Sequence, residues 1–238
     1  LLLNLPLLKD ACKDAEEILD AHYNQHGEFS IGGLDYSRMR EEIPIMLDDM
    51  LDGSNRIKRI VADLRDFARQ GPADLTETVN LNQVVKASIR LVDNSIRKAT
   101  DNFEVQFADQ LPTVKGNAQR IEQVVINLVV NACQALLERS QSVSLRTFYR
   151  PTTNAVVLEV RDQGGGIEAE NLSRLQDPFF TTKRESGGTG LGLSVSSSIV
   201  QEHGGSLQFE SVAGEGTCVT LSLPANAGLN PHEEPLTL

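Results

Sequence analysis

Asp162-Gln163-Gly164-Gly165-Gly166-Ile167 closes a strand pattern at about 155–162, and the fold is read outward from it. A carboxylate fixed at a strand end accepts a hydrogen bond from an exocyclic amino group such as that of adenine; guanine presents a keto oxygen there and is rejected. The glycines let backbone approach a flat ring or take positive φ. A glycine-rich turn with an Asx-type hydrogen bond explains the same residues, so on its own the stretch leaves both readings open.

Upstream, a strand pattern at about 142–150 is separated from the first by Pro151-Thr152-Thr153-Asn154, the spacing of a hairpin. Before it a strong helix pattern runs from about Asn117 to Arg139, with Ile121, Val124, Val125, Leu128, Ala132 and Leu136 on one face. Beside that stripe Asn127 and Asn131 stand four residues apart on one face, with Gln134 a turn further on. An amide oxygen is a hard ligand suited to Mg2+, which takes few protein ligands and completes its shell with water and phosphate oxygens. Hydrogen bonds to neighbouring loops are an equal explanation for such a pair. A helix at about 81–98 with Asn80 as N-cap, and strands near 103–108 and 112–115, precede it.

Downstream lie a short helix, then Ser186-Gly187-Gly188-Thr189-Gly190-Leu191-Gly192-Leu193 opening a helix at about 191–203, and strands at about 206–212 and 217–223. Glycines at a helix N-terminus leave N–H groups to point at phosphate oxygens, although a small-residue packing turn has the same composition. The segment lacks the Gly-Lys-Ser/Thr ending of a Walker A loop and does not follow a strand as a dinucleotide fingerprint does. Between the glycine segments, Asp177-Pro178-Phe179-Phe180-Thr181-Thr182-Lys183 reads as a lid anchored by Phe and able to set Lys183 or Arg184 on a phosphate. Mixed strands and helices with hairpin-spaced strands imply an α+β sandwich, one sheet with helices on one face.

Ahead of this unit the pattern is helical. Leu1, Leu5, Leu8, Cys12, Ala15 and Leu19 recur at helical spacing to about Asp20, with Pro6 needing a kink or an N-terminal position. Residues 21–42, containing Gly32 and Gly33, read as a long connection, and Pro44 sits where a second helix can begin. Leu47, Met50, Ile57, Ile60, Val61, Leu64 and Phe67 then continue a heptad-like seam. Such a hairpin cannot cover its own apolar face, so a dimeric four-helix bundle is the natural completion, with a monomeric helical cap the alternative. Gly71-Pro72 breaks the pattern, giving a helical hairpin at 1–70, an α+β domain at 71–225 and a tail at 226–238.

Composition narrows the function classes. With 22 Lys and Arg against 33 Asp and Glu in 238 residues, the net charge of −11 argues against nucleic acid or anionic membrane as partner. Hydrophobic residues at 40% exclude a disordered chain, and aromatics at 5% with no Trp exclude a stacking surface for sugars or single strands. Cys12, Cys133 and Cys218 are odd in number and lie in apolar runs, as buried thiols do in a reducing, cytoplasmic compartment. No apolar stretch reaches the ~18 residues of a membrane span. The start, Leu1-Leu2-Leu3-Asn4-Leu5-Pro6, has neither a basic n-region nor an initiator Met and reads as that of a fragment.

The four segments stand in a fixed order, and that series resembles the N, G1, F and G2 boxes of the sensor histidine kinases of two-component systems. Here these are Asn127-Leu-Val-Val-Asn131-Ala, Asp162-Gln-Gly164-Gly-Gly166, Pro178-Phe179-Phe180-Thr-Thr-Lys183 and Gly188-Thr189-Gly190-Leu191-Gly192-Leu193. The likeness covers about residue 78 to Pro224, including Gly214-Glu-Gly216-Thr217. It implies a dimerisation hairpin followed by a Bergerat-type α/β sandwich that binds ATP. Asn131 would be the main Mg2+ ligand, with Asn127 beside it. Asp162 would meet the adenine amino group, Thr217 would support that end, and Gly188 to Gly192 with the lid would surround the triphosphate. Gyrase-like and mismatch-repair relatives of this fold carry a Glu where Asn127 stands, and that Glu activates water. An amide cannot act as a general base, so ATP is expected to survive until a histidine nucleophile arrives.

The resemblance implies transfer of the γ-phosphoryl group to that histidine and relay to the receiver domain of a response regulator, in a homodimer, and it allows membrane anchoring of the full-length protein through an unseen sensor region. The family's phosphoacceptor motif does not occur around His22, His26, His203 or His232, so the fragment is expected to lack its own phosphoacceptor. His22 and His26 fall in the connection, and His203 ends the last helix as a capping residue. The alternative is a nucleotide-binding pseudokinase or dimerisation module without phosphotransfer; an ATPase or serine-directed kinase is disfavoured by Asn127 and the hairpin.

Overall fold

The computed structural model describes residues 3–68, 74–182 and 189–226. The chain divides into two compact units, Leu1–Arg65 and Asp66–Leu238.

The first unit is a pair of helices, α1 (Leu5–His26) and α2 (Tyr36–Ala68). Pro6 sits in the first turn of α1, where its missing N–H costs nothing, so no kink is needed. The helix runs past Asp20 to His26, and Gly27, at φ 80°, returns its N–H to Tyr23 O at 2.9 Å. The connection is therefore far shorter than residues 21–42. It is a two-residue turn at Gly32 and Gly33, both at positive φ, between strands β1 (Ser30–Ile31) and β2 (Leu34–Asp35). His22 and His26 accordingly lie on α1, one turn apart with rings stacked at 4.4 Å, and not in a loop.

Tertiary contact explains this extension. Tyr36 is 2% exposed, stacks on Phe29 at 4.7 Å and donates its hydroxyl to Asp20 Oδ1 at 2.8 Å. Burial and the Asp20 hydrogen bond push its phenol up to about 12. Arg40 meets Asp20 at 3.2 Å and Glu16 at 3.7 Å, and Lys9 meets Asp48 at 2.6 Å, partners that advance along α2 as they recede along α1, as antiparallel helices require. Pro44 lies inside α2, eight residues past its start, and removes the helical bond to the Arg40 carbonyl; it does not open the helix. Along both helices Leu7, Ile18, Ile45, Met46, Met50, Ile57 and Val61 remain exposed. The expected boundary at Gly71-Pro72 falls outside the described residues.

The second unit is built on a five-stranded sheet. In chain order come β3 (Glu77–Val79), α3 (Leu81–Ala99), β4 (Asn102–Gln106), β5 (Val114–Gly116), α4 (Ala118–Ala135), β6 (Ser142–Arg150), β7 (Ala155–Asp162), α5 (Ala169–Leu172), α6 (Gly192–Glu202), β8 (Ser206–Val212) and β9 (Gly216–Pro224). The sheet order is β4-β6-β7-β9-β8, with β4 parallel to β6 and the other neighbours antiparallel. β3 pairs separately with β5, a short long-range contact that the sequence pattern does not announce. Alternation places Val143 and Leu145 of β6, Val156, Leu158 and Val160 of β7, and Leu221 and Leu223 of β9 in one core with α3, α4 and α6. These helices cover one face of the sheet, and α4 packs against both of the others.

The caps follow the residues. Asn80 and Asn117 accept the N–H groups of Gln83 and Arg120 at 3.2 and 3.0 Å, fixing the starts of α3 and α4. α4 stops at Ala135, short of Arg139, because Gly165 N–H takes the Ala135 carbonyl at 3.0 Å and Gln141 Oε1 accepts from Leu137 and Glu138, holding a turn instead. His203 caps as expected and also crosses to α4: it lies at hydrogen-bond distance from Ile199 O through Nδ1, 2.7 Å, and accepts Asn117 N–H at Nε2, 3.0 Å. After Pro224, Ala225 and Asn226 still donate to Asn154 O and Thr113 O, and the rest of the tail falls outside the described residues.

Candidate functional site

Two clusters of the expected residues form along α4. The first is at mid-helix, where the half-buried Asn127 and Asn131 project from one face. Asn127 Nδ2 donates to Ser196 Oγ of α6 at 3.0 Å, and Asn131 Nδ2 lies 3.5 Å from Asn127 Oδ1. Gly192 opens α6 directly over this pair: a Cβ there would stand 2.5 Å from Asn127 Oδ1. The glycine is thus demanded by the amide beneath it, and the N-terminal end of α6 meets the Asn127 side chain. Gln134, the third polar residue of the stripe, is exposed.

The second cluster lies at the C-terminal end of α4, eight residues or about 12 Å of helix beyond Asn127. Asp162 ends β7, is 6% exposed, and accepts Gly164 N–H on Oδ1 at 2.9 Å, the Asx-type bond that the sequence allowed. Gly164 packs against the end of α4 so closely that a Cβ would fall 2.2 Å from Ala135 O. Gly166, at φ 65°, faces Val212 O with room for no side chain, and Gly216 faces Asp162 O likewise. Thr217 pairs with Asp162 across β7 and β9, and its hydroxyl lies 2.9 Å from Ser211 Oγ of β8. Burial pushes the Cys133 thiol up, and the charge of Asp162 adds to the effect.

Of the segment expected to form a lid, residues 177–182 are described. Phe179, at φ 66°, donates its N–H to Gly190 O at 2.9 Å, and a Cβ on Gly190 would collide with the Phe179 backbone, so these two positions are clasped together. Phe180 lies under the Arg174 guanidinium at 4.4 Å. Leu191, 1% exposed, anchors the start of α6, and its N–H donates to Thr189 Oγ1 at 3.3 Å. Lys183, Arg184 and Gly188 lie outside the described residues.

Three contributors escaped the sequence reading. Ser196 holds Asn127. Ser211 accepts Ile167 N–H at 2.8 Å and donates to Gly216 O at 2.9 Å, closing the glycine turn onto β8 and β9. Gln176 accepts from Ser197 of α6 at 3.0 Å and reaches Leu207 O of β8, fixing the segment before the lid. The one available signal was the serine run Ser194 to Ser198, which includes three buried hydroxyls in a helix whose other buried residues are apolar.

Sheet order, helical layer and glycine segments together are those of a Bergerat-type ATP-binding fold. The Histidine kinase-, DNA gyrase B-, and HSP90-like ATPase family matches residues 116–227. The chain is 35% identical over 215 residues, 90% of its length, to a putative sensor protein of Shewanella frigidimarina, covering 32% of that protein. It is 34% identical over 178 residues, 74% of its length, to the sensor histidine kinase ZraS of Escherichia coli, covering 37% of it. Among solved structures, the catalytic domain of histidine kinase ThkA is similar at 30% identity and a TM-score of 0.54, over 63% of this chain and 95% of that one. The chain belongs to the sensor histidine kinase family. It spans about a third of the length of these curated relatives. No helix among the described residues is long and apolar enough to cross a membrane.

Proposed function

We propose that the chain is the ATP-binding catalytic region of a sensor histidine kinase, transferring the γ-phosphoryl group of ATP to a histidine for relay to a response-regulator aspartate. The observation that carries this reading is the Asn127–Asn131 pair packed beneath Gly192 at the opening of α6. It sets the Asn127 amide oxygen beside a glycine segment suited to phosphates, with the Asn131 amide next to it and no carboxylate at position 127 to activate water.

In this reading Asp162 accepts from the adenine amino group, since a carboxylate oxygen accepts more than one hydrogen bond and one of its bonds already goes to Gly164. Thr217 supports the same end. Gly164, Gly166 and Gly216 let the chain around Asp162 pack tightly against Ala135, Val212 and Asp162 itself, which fixes the carboxylate in place. By the family resemblance Gly188, Thr189, Gly190, Leu191 and Gly192, with Phe180 and Lys183 of the lid, would surround the phosphates. The donor set that fits Mg2+ is Asn131 with Asn127, whose amide oxygens are hard ligands, completed by phosphate and water oxygens. Bound Mg2+ supplies charge neutralisation to the phosphates. The exposed apolar stripe of α1 and α2 supports a homodimer closed as a four-helix bundle, and the receiver domain of a response regulator is the partner that follows.

The test is phosphotransfer. The chain is incubated with Mg2+ and γ-labelled ATP together with a hairpin segment that bears a sensor kinase's phosphoacceptor histidine. Acid-labile, base-stable label on the hairpin is the expected result. Nucleotide binding without any label transfer supports a regulatory pseudokinase instead, and steady phosphate release that ignores the acceptor supports an ATPase.

A further inference from the structure

Asn127 is held by two residues of α6 that stand four apart and so share one face of that helix: Gly192, which leaves room, and Ser196, which offers an oxygen. The amide nitrogen is taken by Ser196 Oγ at 3.0 Å, one turn into the helix. The amide oxygen is thereby turned the other way, to the Gly192 end and to within 3.5 Å of Asn131 Nδ2. Ser196 is 2% exposed, and a buried hydroxyl costs free energy unless it is paired; Asn127 is its recorded partner. The reverse amide orientation puts an NH2 group at the opening of α6, where a cation and its phosphates need oxygen.

We infer that Ser196 is the positioning residue of the paired amides: by accepting from Asn127 Nδ2 it aims the Asn127 oxygen, and through it the Asn131 amide, at the site of the nucleotide-bound divalent cation. This rests on the nucleotide reading above and adds to it the residue that sets amide orientation. Ser196 acts through Asn127, touching neither nucleotide nor metal. The contact also couples the N-terminal end of α6 to the middle of α4, so the two elements that face the phosphates move as one.

The experiment measures the dissociation constant of the chain for a non-hydrolysable ATP analogue with and without Mg2+, by calorimetric titration, for the unmodified protein and for Asn131→Ala, Ser196→Ala and Ser196→Thr. Loss of an orienting partner behind a metal ligand lowers metal affinity about 10- to 100-fold. Ser196→Ala is expected to lose most of the Mg2+-dependent gain, keep its metal-free affinity within about twofold, and melt near the parent temperature, as a helix-favouring change that leaves the core intact. Ser196→Thr, which keeps the hydroxyl, restores the gain. If Ser196→Ala retains the full Mg2+ gain while Asn131→Ala loses it, the inference is overturned and the nucleotide reading stands. If Asn131→Ala also retains the gain, or if the unmodified protein shows none, the reading of the site fails and the inference falls with it.

Discussion

Replacing Asp162 by Asn exchanges one oxygen for an NH2 group and alters little else. Oδ1 accepts Gly164 N–H at 2.9 Å, so the amide must keep its carbonyl there; turned around, two donors would face each other. Its NH2 then takes the place of the second carboxylate oxygen, and an acceptor becomes a donor. For an adenine amino group this removes a hydrogen bond to a charged acceptor, worth about 1.5–3 kcal/mol, or about 10- to 150-fold in affinity. The Gly164 bond weakens while a neutral group costs less to bury than a charge at a site 6% exposed, so a melt of the variant separates any loss of folding from loss of binding. The assay is titration with ADP alongside a thermal melt. A variant that melts within a few degrees of the parent and binds ADP as tightly as the parent refutes the adenine assignment.

Gly164→Ala places a Cβ 2.2 Å from Ala135 O and breaks the Gly165 to Ala135 bond, so the second unit should lose about 2–4 kcal/mol and melt about 4–16 °C lower; an unchanged melt contradicts that packing. Tyr36, whose pKa rises from an ordinary value near 10 to about 12 on folding, binds its proton more tightly in the native state. The stability it contributes is complete below about pH 10 and lost as pH rises towards 12, and a denaturation series across that window should show a fall that Tyr36→Phe abolishes. Burial raises the thiols of Cys133 and Cys218, so iodoacetamide at pH 7.5 should modify the half-buried Cys12 first, as read by peptide mass mapping; equal rates at all three contradict the packing around α4 and β9.

What the sequence revealed and what it hid divide along physical lines. The hairpin of β6 and β7 was legible to the residue because β-branched alternation and Pro151 to Asn154 are local signals. The amide caps Asn80 and Asn117 were legible for the same reason. The helical pair was less so. Residues 21–26 are helical where His22 and Tyr23 meet the rings of Phe29 and Tyr36, a tertiary contact that composition does not display, and Pro44 is carried inside a 33-residue helix whose side chains are paired on either side of it. The Asn pair, Asp162 and the glycines stood out because their chemistry is unusual for their elements. Ser196 did not, because one of the four serines between positions 194 and 198 carries no mark of the neighbour it meets across a helix interface.

The central claim is an adenine-selective, Mg2+-assisted nucleotide site built on Asp162 and Asn131. Calorimetric titration of the chain with a non-hydrolysable ATP analogue, with and without Mg2+ and against the corresponding GTP analogue, tests it most directly. The account predicts binding of the ATP analogue that Mg2+ strengthens and little or no binding of the GTP analogue; equal affinity for the two, or no binding under any condition, contradicts it.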